Sequence, residues 1–240
     1  PGLLSVAYVA FTREIIGEAM LEPVRDHGAQ WATQVKAFVL YVHKVGVPVG
    51  LSIEPQFRVS SSPFESGVVL ALLAVLSGLV VLGRARGGLL LGAGWFFIAL
   101  LPPSIVPLNV LVNEHRLYLP MVGGALFLAQ LLGRVRVNPR VGWIGLLVLI
   151  SLCVQRNMDW KTGETIWRDA VKKGPMMARP YVNWSQALLE TGQIEASIEA
   201  SRRAIDLQPT LGQAHYNLGT AYMHQGAYDL AEAHLERAVQ

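Results

Sequence analysis

The sequence predicts an all-α protein in two parts: a multi-span helical membrane domain over residues 1–157 and a helical solenoid over 158–240. Three observations carry that expectation. Only 15% of the 240 residues are charged and 52% are hydrophobic, against roughly 25% charged in an ordinary soluble domain, and the deficit lies before residue 157. Long charge-free runs recur in the same region. After it the chain turns polar and repeats itself every 34 residues, pairing Asn183 with Asn217, Ala187 with Ala221, Gly192 with Gly226 and Ala204 with Ala238.

Taken in order, Gly2–Phe11 is an apolar stub that reads as the end of a span begun upstream. Arg13 to Asp26 sets Ile15, Ile16, Met20 and Leu21 against Glu14, Glu18, Glu22 and Arg25 at helical spacing, which suits a helix lying on a membrane surface. Val35–Ile53 is apolar apart from Lys36, His43 and Lys44. Glu54–Glu65, with two prolines and Ser60-Ser61-Ser62, is a loop. Ser66–Gly83 carries eighteen residues without a charge, roughly the minimum for crossing a bilayer core. Gly87–Val112 also lacks charge but contains Pro102, Pro103 and Pro107, so a helix to about Leu101 followed by irregular chain is expected. Leu117–Gly133 and Val141–Val154 complete the set; the last is short alone, and Trp143 and its continuation toward the repeats favour spanning.

The 34-residue period, small residues at matched places and Pro209 closing the first unit are the pattern of tetratricopeptide (TPR) repeats, in which two antiparallel helices meet at small side chains. The phase extends back, since Ala170 and Pro175 lie 34 residues before Ala204 and Pro209. A half repeat at 158–177 and repeats at 178–211 and 212–240 follow, the last truncated. Gly192, Ala204, Pro209, Gly219, Tyr222, Gly226 and Ala238 are structural in this reading. Ser185 and Gly219, Ser197 and Ala231, and Ala204 and Ala238 sit where paired helices cross. Gly226 stands at a turn that calls for left-handed backbone. Asn183 and Asn217 recur at one repeat position, either as peptide-binding groups on the concave face or as polar caps inside the array.

Loop charges orient the membrane part. Arg84 and Arg86 mark one turn, and Arg134, Arg136 and Arg140 another; the positive-inside rule assigns both to the cytoplasm. Alternation then puts the loops near 54–65 and 113–116, and the repeats, on the opposite face. That face is the periplasm if the protein sits in a bacterial inner membrane, and the lumen if it sits in the endoplasmic reticulum. The rival topology leaves Val141–Val154 uncrossed and the repeats cytoplasmic.

The densest polar feature between apolar runs is Asn113-Glu114-His115-Arg116. Ionisable groups near membrane depth are costly and are commonly paired or functional. Arg116 offers a planar fork suited to phosphate or carboxylate, and Glu114 can orient it, accept a proton or hold a sugar hydroxyl. An ordinary surface loop with these two groups solvated or paired fits equally. Glu54 is a weaker candidate for a donor or acceptor contact, or simply a loop residue.

Glu114-His115-Arg116 followed by Leu117-Tyr118-Leu119-Pro120, after a proline-bearing span and before a last span and TPR repeats, resembles the protein O-mannosyltransferase-like membrane proteins, in particular the transmembrane-and-TPR group and its bacterial counterparts. The segment from Thr33-Gln34 through Tyr41 to Pro48, Leu51 and Glu54 is similar to one of theirs. The commoner family pattern sets Glu directly before Arg; here His115 intervenes. The resemblance implies a C-type glycosyltransferase that moves a sugar from a polyprenyl-phosphate carrier to protein Ser or Thr hydroxyls on the outer face. It implies Arg116, with Glu114 and His115, as donor-phosphate contacts, and the repeats as the holder of an acceptor protein. The family's catalytic acid lies in a first outer loop upstream of Pro1, so this chain, read as a piece of a longer protein, is expected to contain no catalytic residue.

Other features exclude rather than propose. The net charge of +3 and arginines confined to short loops argue against nucleic acid as a partner. The six histidines follow no metal-ligand spacing, the glycine pairs form no phosphate loop, and Cys153 has no partner for an internal disulfide. Lys161, Lys172 and Lys173 read as solvated repeat surface. No cofactor is named. The rival function is a non-catalytic, membrane-anchored TPR scaffold; a transporter or polymer-assembly factor that grips a lipid-linked saccharide is a third.

Overall fold

The computed structural model describes residues 26–84, 86–105, 110–134 and 138–239, and the stub, the surface helix before Asp26, Pro107 and Arg136 lie outside them. All regular structure among the described residues is helical. The helices are α1 (His27–Gly46), α2 (Ser66–Leu82), α3 (Gly88–Ile105), a 3-10 turn (Glu114–Leu117), α4 (Tyr118–Leu132), α5 (Pro139–Asp159), α6 (Gly163–Lys173), α7 (Ala178–Glu190), α8 (Ile194–Leu207), α9 (Gly212–Gln225) and α10 (Tyr228–Ala238). The chain forms two compact units: one holds α1–α4 and the described chain up to Trp143, the other residues 50–56 together with the chain from Ile144 onward.

In the first unit, α1 begins eight residues before the predicted apolar run and ends before Pro48. Asp26 sets its start, the carboxylate accepting from Ala29 N–H at 2.9 Å. Its inner face carries Gln30, Thr33, Gln34, Ala37 and Tyr41, all buried, at helical spacing. Polar residues there obscured the helix from a hydropathy reading. Thr33 Oγ1 accepts from Ser60 N–H at 2.9 Å, and Gln30 Nε2 donates to Ser104 O at 3.2 Å, satisfying a carbonyl at the end of α3. α3 continues through Pro102 and Pro103 to Ile105 rather than stopping near Leu101; a proline nitrogen has no hydrogen to donate, so the carbonyls of Ile98 and Ala99 lose their i+4 donors in this last turn.

α3 and α4 cross on glycine. A Cβ on Gly92 would lie 2.8 Å from Gly123 O and 2.7 Å from Phe127 N, so only glycine allows the two backbones this close. Ala37, Tyr41, Phe96, Leu100, Val112 and Leu117 form the core beside this crossing, with Phe38 stacked on Phe97 at 4.7 Å.

Among the described residues one helix is long and apolar enough to cross a membrane, α5, at 21 residues; α2 and Gly88–Pro102 are apolar but shorter. None of the residues of α5 is buried, and its Trp143 and Trp160 beyond its end are both exposed. The helix runs on through Arg156 to Asp159, which gives the candidate span the length that Val141–Val154 lacks.

The second unit shows the repeat directly. α7 and α9 begin 34 residues apart, as do α8 and α10. Gly192 and Gly226 have φ of 74° and 80°, the left-handed backbone that breaks each helix pair. At the crossings Ser185, Ser197 and Ala204 have no exposed surface, and Ala231 has 2%. Ser197 Oγ donates to Ser185 O at 2.8 Å. One repeat later a Cβ on Gly219 would meet Leu235 Cγ at 2.8 Å, and Gly212 packs on Ala238 O in the same way. Leu188, Leu218 and Tyr222 fill the layers between helices. Thr162 opens α6 through a capping box with Thr165.

Candidate functional site

The loop that carries Arg116 is built by its own polar side chains. Asn113 Oδ1 accepts from Arg116 N–H at 3.1 Å and starts the 3-10 turn, while Asn113 N–H donates to Tyr41 Oη at 3.4 Å. Leu117 is buried in the core beneath, and Trp95 Nε1 donates to Leu119 O at 3.0 Å. Arg116, half-buried, donates from Nη1 to Leu111 O at 2.9 Å and from Nη2 to Val110 O at 2.7 Å. Its fork therefore closes the loop on itself, and two of its five N–H groups are spent there. Glu114 is buried and His115 exposed, on adjacent residues. Partial desolvation holds His115 below the ordinary imidazole value; Glu114 opposes that shift and Arg116 adds to it, which favours the neutral ring. The loop thus places a carboxyl, an imidazole and a guanidinium on the consecutive residues 114–116, with the guanidinium hydrogen-bonded to two backbone carbonyls.

In the repeats Asn183 and Asn217 diverge. Asn217 is 2% exposed; its amide donates to Val182 O at 2.9 Å and Ser185 Oγ at 2.8 Å, stitching α9 to α7. Of the two roles open to it from sequence, this is capping inside the array. Asn183, one repeat earlier on α7, is half-buried and its amide makes no hydrogen bond among the described residues.

Sequence reasoning missed a strap. Residues 51–56 lie along the α6–α7 corner. Glu54 is buried, and Arg179 Nε donates to its Oε2 at 2.8 Å. Lys173 Nζ donates to Leu51 O at 2.6 Å, and Met176 N–H to Gln56 Oε1 at 3.0 Å. Gly174 leaves room for the strap, because a Cβ there would approach Glu54 O at 3.2 Å and Gln56 N at 3.3 Å. Burial pushes the Glu54 carboxyl above its usual range, and Arg179 only partly offsets this. Lys173, expected on a solvated surface, instead bridges the strap and Asp169. Asp169 also takes Arg156 Nη1 at 2.7 Å, and Arg156 binds Asp159 at 2.9 Å, so α5 and α6 share one charge network. Partners 120 to 125 residues away in sequence leave no local signal; Glu54 beside Pro55 was the only hint.

These features define a helical protein with a candidate membrane span that leads into tetratricopeptide repeats. The family model "Tetratricopeptide repeat" matches residues 182–240. The chain is similar to "Protein O-mannosyl-transferase Tmtc3" of Drosophila melanogaster, 26% identical over 155 residues, covering 60% of this chain and 17% of that protein. "Protein O-mannosyl-transferase TMTC4" of Homo sapiens is 31% identical over 125 residues, covering 48% of this chain and 17% of that protein. The chain thus spans about a sixth of the length of these curated relatives. Among solved structures, "MamA MSR-1 C2" aligns with 18% identity and a TM-score of 0.32, over 63% of this chain and 90% of that one.

Proposed function

We propose that the chain forms part of a membrane glycosyltransferase that transfers a sugar from a polyprenyl-phosphate donor to protein Ser or Thr hydroxyls on the outer face, with the repeats binding the acceptor protein. One observation carries this. The repeats make up about a third of the chain, so a similarity to a protein O-mannosyl-transferase that covers 60% of it must reach well into the preceding segment.

The strap supports a multi-span membrane part. Residues 51–56 touch α6 and α7 through Lys173, Met176 and Arg179, so that segment and the repeats share one side of any membrane. Chain that leaves the repeat unit at residue 56 and rejoins it through α5 crosses an even number of times. In this reading α5 is not the sole crossing between them, and α2, α3 and α4 supply the others. With the arginine turns at 84–86 and 134–140 on one face, the strap, the 113–116 loop and the repeats share the other. This is the periplasm for a bacterial protein and the endoplasmic reticulum lumen for a eukaryotic one.

On that face Arg116, Glu114 and His115 are the groups we assign to the donor phosphate, and no residue described above serves as catalytic base. Electrostatic stabilisation of a phosphate leaving group is the chemistry this cation supplies. Asn183, at the repeat position of Asn217 but with its amide uncommitted, is the group we assign to acceptor backbone. The experiment is transfer from polyprenyl-phosphate sugar in membranes containing the whole protein, normalised to folded protein. Arg116→Ala is expected to lower transfer by roughly thirtyfold, the equivalent of one charged hydrogen bond; undiminished transfer removes the phosphate role.

A non-catalytic membrane-anchored scaffold is the second reading, favoured by one observation: Arg116 already serves its own loop through Leu111 O and Val110 O. In that case the substitution lowers folded yield and leaves no sugar transfer to measure.

A further inference from the structure

The α9–α10 helix pair contains a contact between two histidines that the sequence does not announce. His215 on α9 is 5% exposed, and His234 on α10 lies with its Nδ1 at 3.1 Å from His215 Nδ1. His215 Nε2 is 3.0 Å from Pro209 O. A carbonyl only accepts, so His215 carries its proton on Nε2 and, when neutral, presents a lone pair at Nδ1. The proton between the two rings therefore belongs to His234 Nδ1, the less common imidazole tautomer, held in place by its neighbour. His234 stacks on Tyr222 with centroids 5.8 Å apart, and Tyr222 Oη takes Arg202 Nη2 at 2.6 Å. One chain of contacts thus joins the Pro209 turn, α9, α10 and α8.

We propose that His215 and His234 form a proton-sensitive clasp that holds α10 on α9 at neutral pH and loosens it in acid. The balance is simple. One proton on His234 Nδ1 makes the bond to His215 Nδ1. A proton added at His234 Nε2 keeps that bond but places a cation beside Arg202 of α8 and Arg237 of α10. A proton added at His215 Nδ1 removes the acceptor and sets two N–H groups against each other. Burial holds His234 below the ordinary imidazole value, and the charges bearing on it, His215, Arg237 and Arg202, all cationic when charged, push it the same way. The sign follows. An opened α10 binds protons more readily than a closed one, so closure is at full strength above the unfolded imidazole pKa near 6.5 and weakens as pH falls from there through the lower folded value. Each proton taken up only by the open form shifts opening by up to about tenfold per pH unit in that window.

The test is hydrogen exchange on the whole chain in lipid nanodiscs, comparing amides of α10 with those of α7 in the same sample so that intrinsic rates cancel. Protection of α10 relative to α7 is expected to fall by roughly tenfold between pH 7.5 and 5.5. His234→Phe, which keeps a ring on Tyr222 and cannot titrate, is expected to flatten that dependence. A flat wild-type profile, or an unchanged slope in His234→Phe, overturns the clasp. Independently of any variant, nitrogen spectra of histidine-labelled protein at pH 7.5 are expected to show one Nε2–H and one Nδ1–H ring in the pair; Nε2–H on both overturns it as well.

Discussion

Arg179→Met removes the counter-charge of Glu54 and leaves a carboxylate inside the strap with nothing to balance it. The Glu54 side chain is only 8% exposed and that of Arg179 40%, so the acid bears the desolvation and the arginine remains partly hydrated. Losing a hydrogen bond to a charged group that is already out of water costs about 2 kcal/mol, the middle of the usual range, with solvent near Arg179 keeping it from the larger figure of a fully buried pair. That is roughly a thirtyfold rise in opening of residues 50–56. Glu54→Gln behaves differently. The amide oxygen still accepts from Arg179 and no charge is buried, so the strap is expected to hold or tighten. The pH dependence has the same sign: because burial raises the folded pKa of Glu54, the closed strap is strongest below the unfolded carboxylate range and weakens as pH rises through the raised folded value. The assay is protease protection of residues 50–58 in the whole chain in detergent, read against a site in α8 as an internal standard. Equal protection in wild type and Arg179→Met, or greater loss in Glu54→Gln than in Arg179→Met, refutes the reasoning.

Further expectations test other joints. Asn217→Ala, which removes the amide's two hydrogen bonds to Val182 O and Ser185 Oγ at the α7–α9 contact, should lower stability of the repeat unit by roughly 2 kcal/mol in a denaturant series followed by helical signal. Gly226→Val meets open space but forces a branched residue to a φ of 80°, a cost of about 1 kcal/mol or more; Gly219→Val, blocked by Leu235 Cγ, should cost more still. Gly92→Leu should separate α3 from α4 and lower the folded yield in membranes, since its Cβ meets the backbone of α4 rather than a side chain that can move.

The repeats were legible because their cause is local and periodic. Gly192 and Gly226 mark turns that only left-handed backbone makes, and Ser185, Ser197, Ala204 and Gly219 mark crossings where volume is forbidden. The apolar helices were legible to within a turn for α2 and α4, because charge is excluded from them. α1 was misplaced because its buried inner face is amide and hydroxyl, Gln30, Thr33 and Gln34, of which Gln30 and Thr33 meet hydrogen-bond partners on distant chain. Arg116 illustrates the limit at the site. Its sequence position allowed a solvated, ion-paired or phosphate-binding guanidinium, and the bonds to Leu111 O and Val110 O depend on a loop closure that no spacing rule encodes. The ties from Glu54 to Arg179 and from His215 to His234 join groups far apart in sequence or on facing helices, and composition is silent on both.

The central claim is that the strap and the repeats lie on one membrane face and the arginine turns on the other, with α5 one of an even number of crossings. Single cysteines placed at Phe64, Asn138 and Thr210 in a Cys153→Ser background, labelled in sealed vesicles with an impermeant maleimide before and after permeabilisation, measure this directly. Phe64→Cys and Thr210→Cys are expected to react together as one class, and Asn138→Cys only from the opposite side. Labelling of all three from the same side, or of Phe64→Cys and Thr210→Cys from opposite sides, contradicts the account.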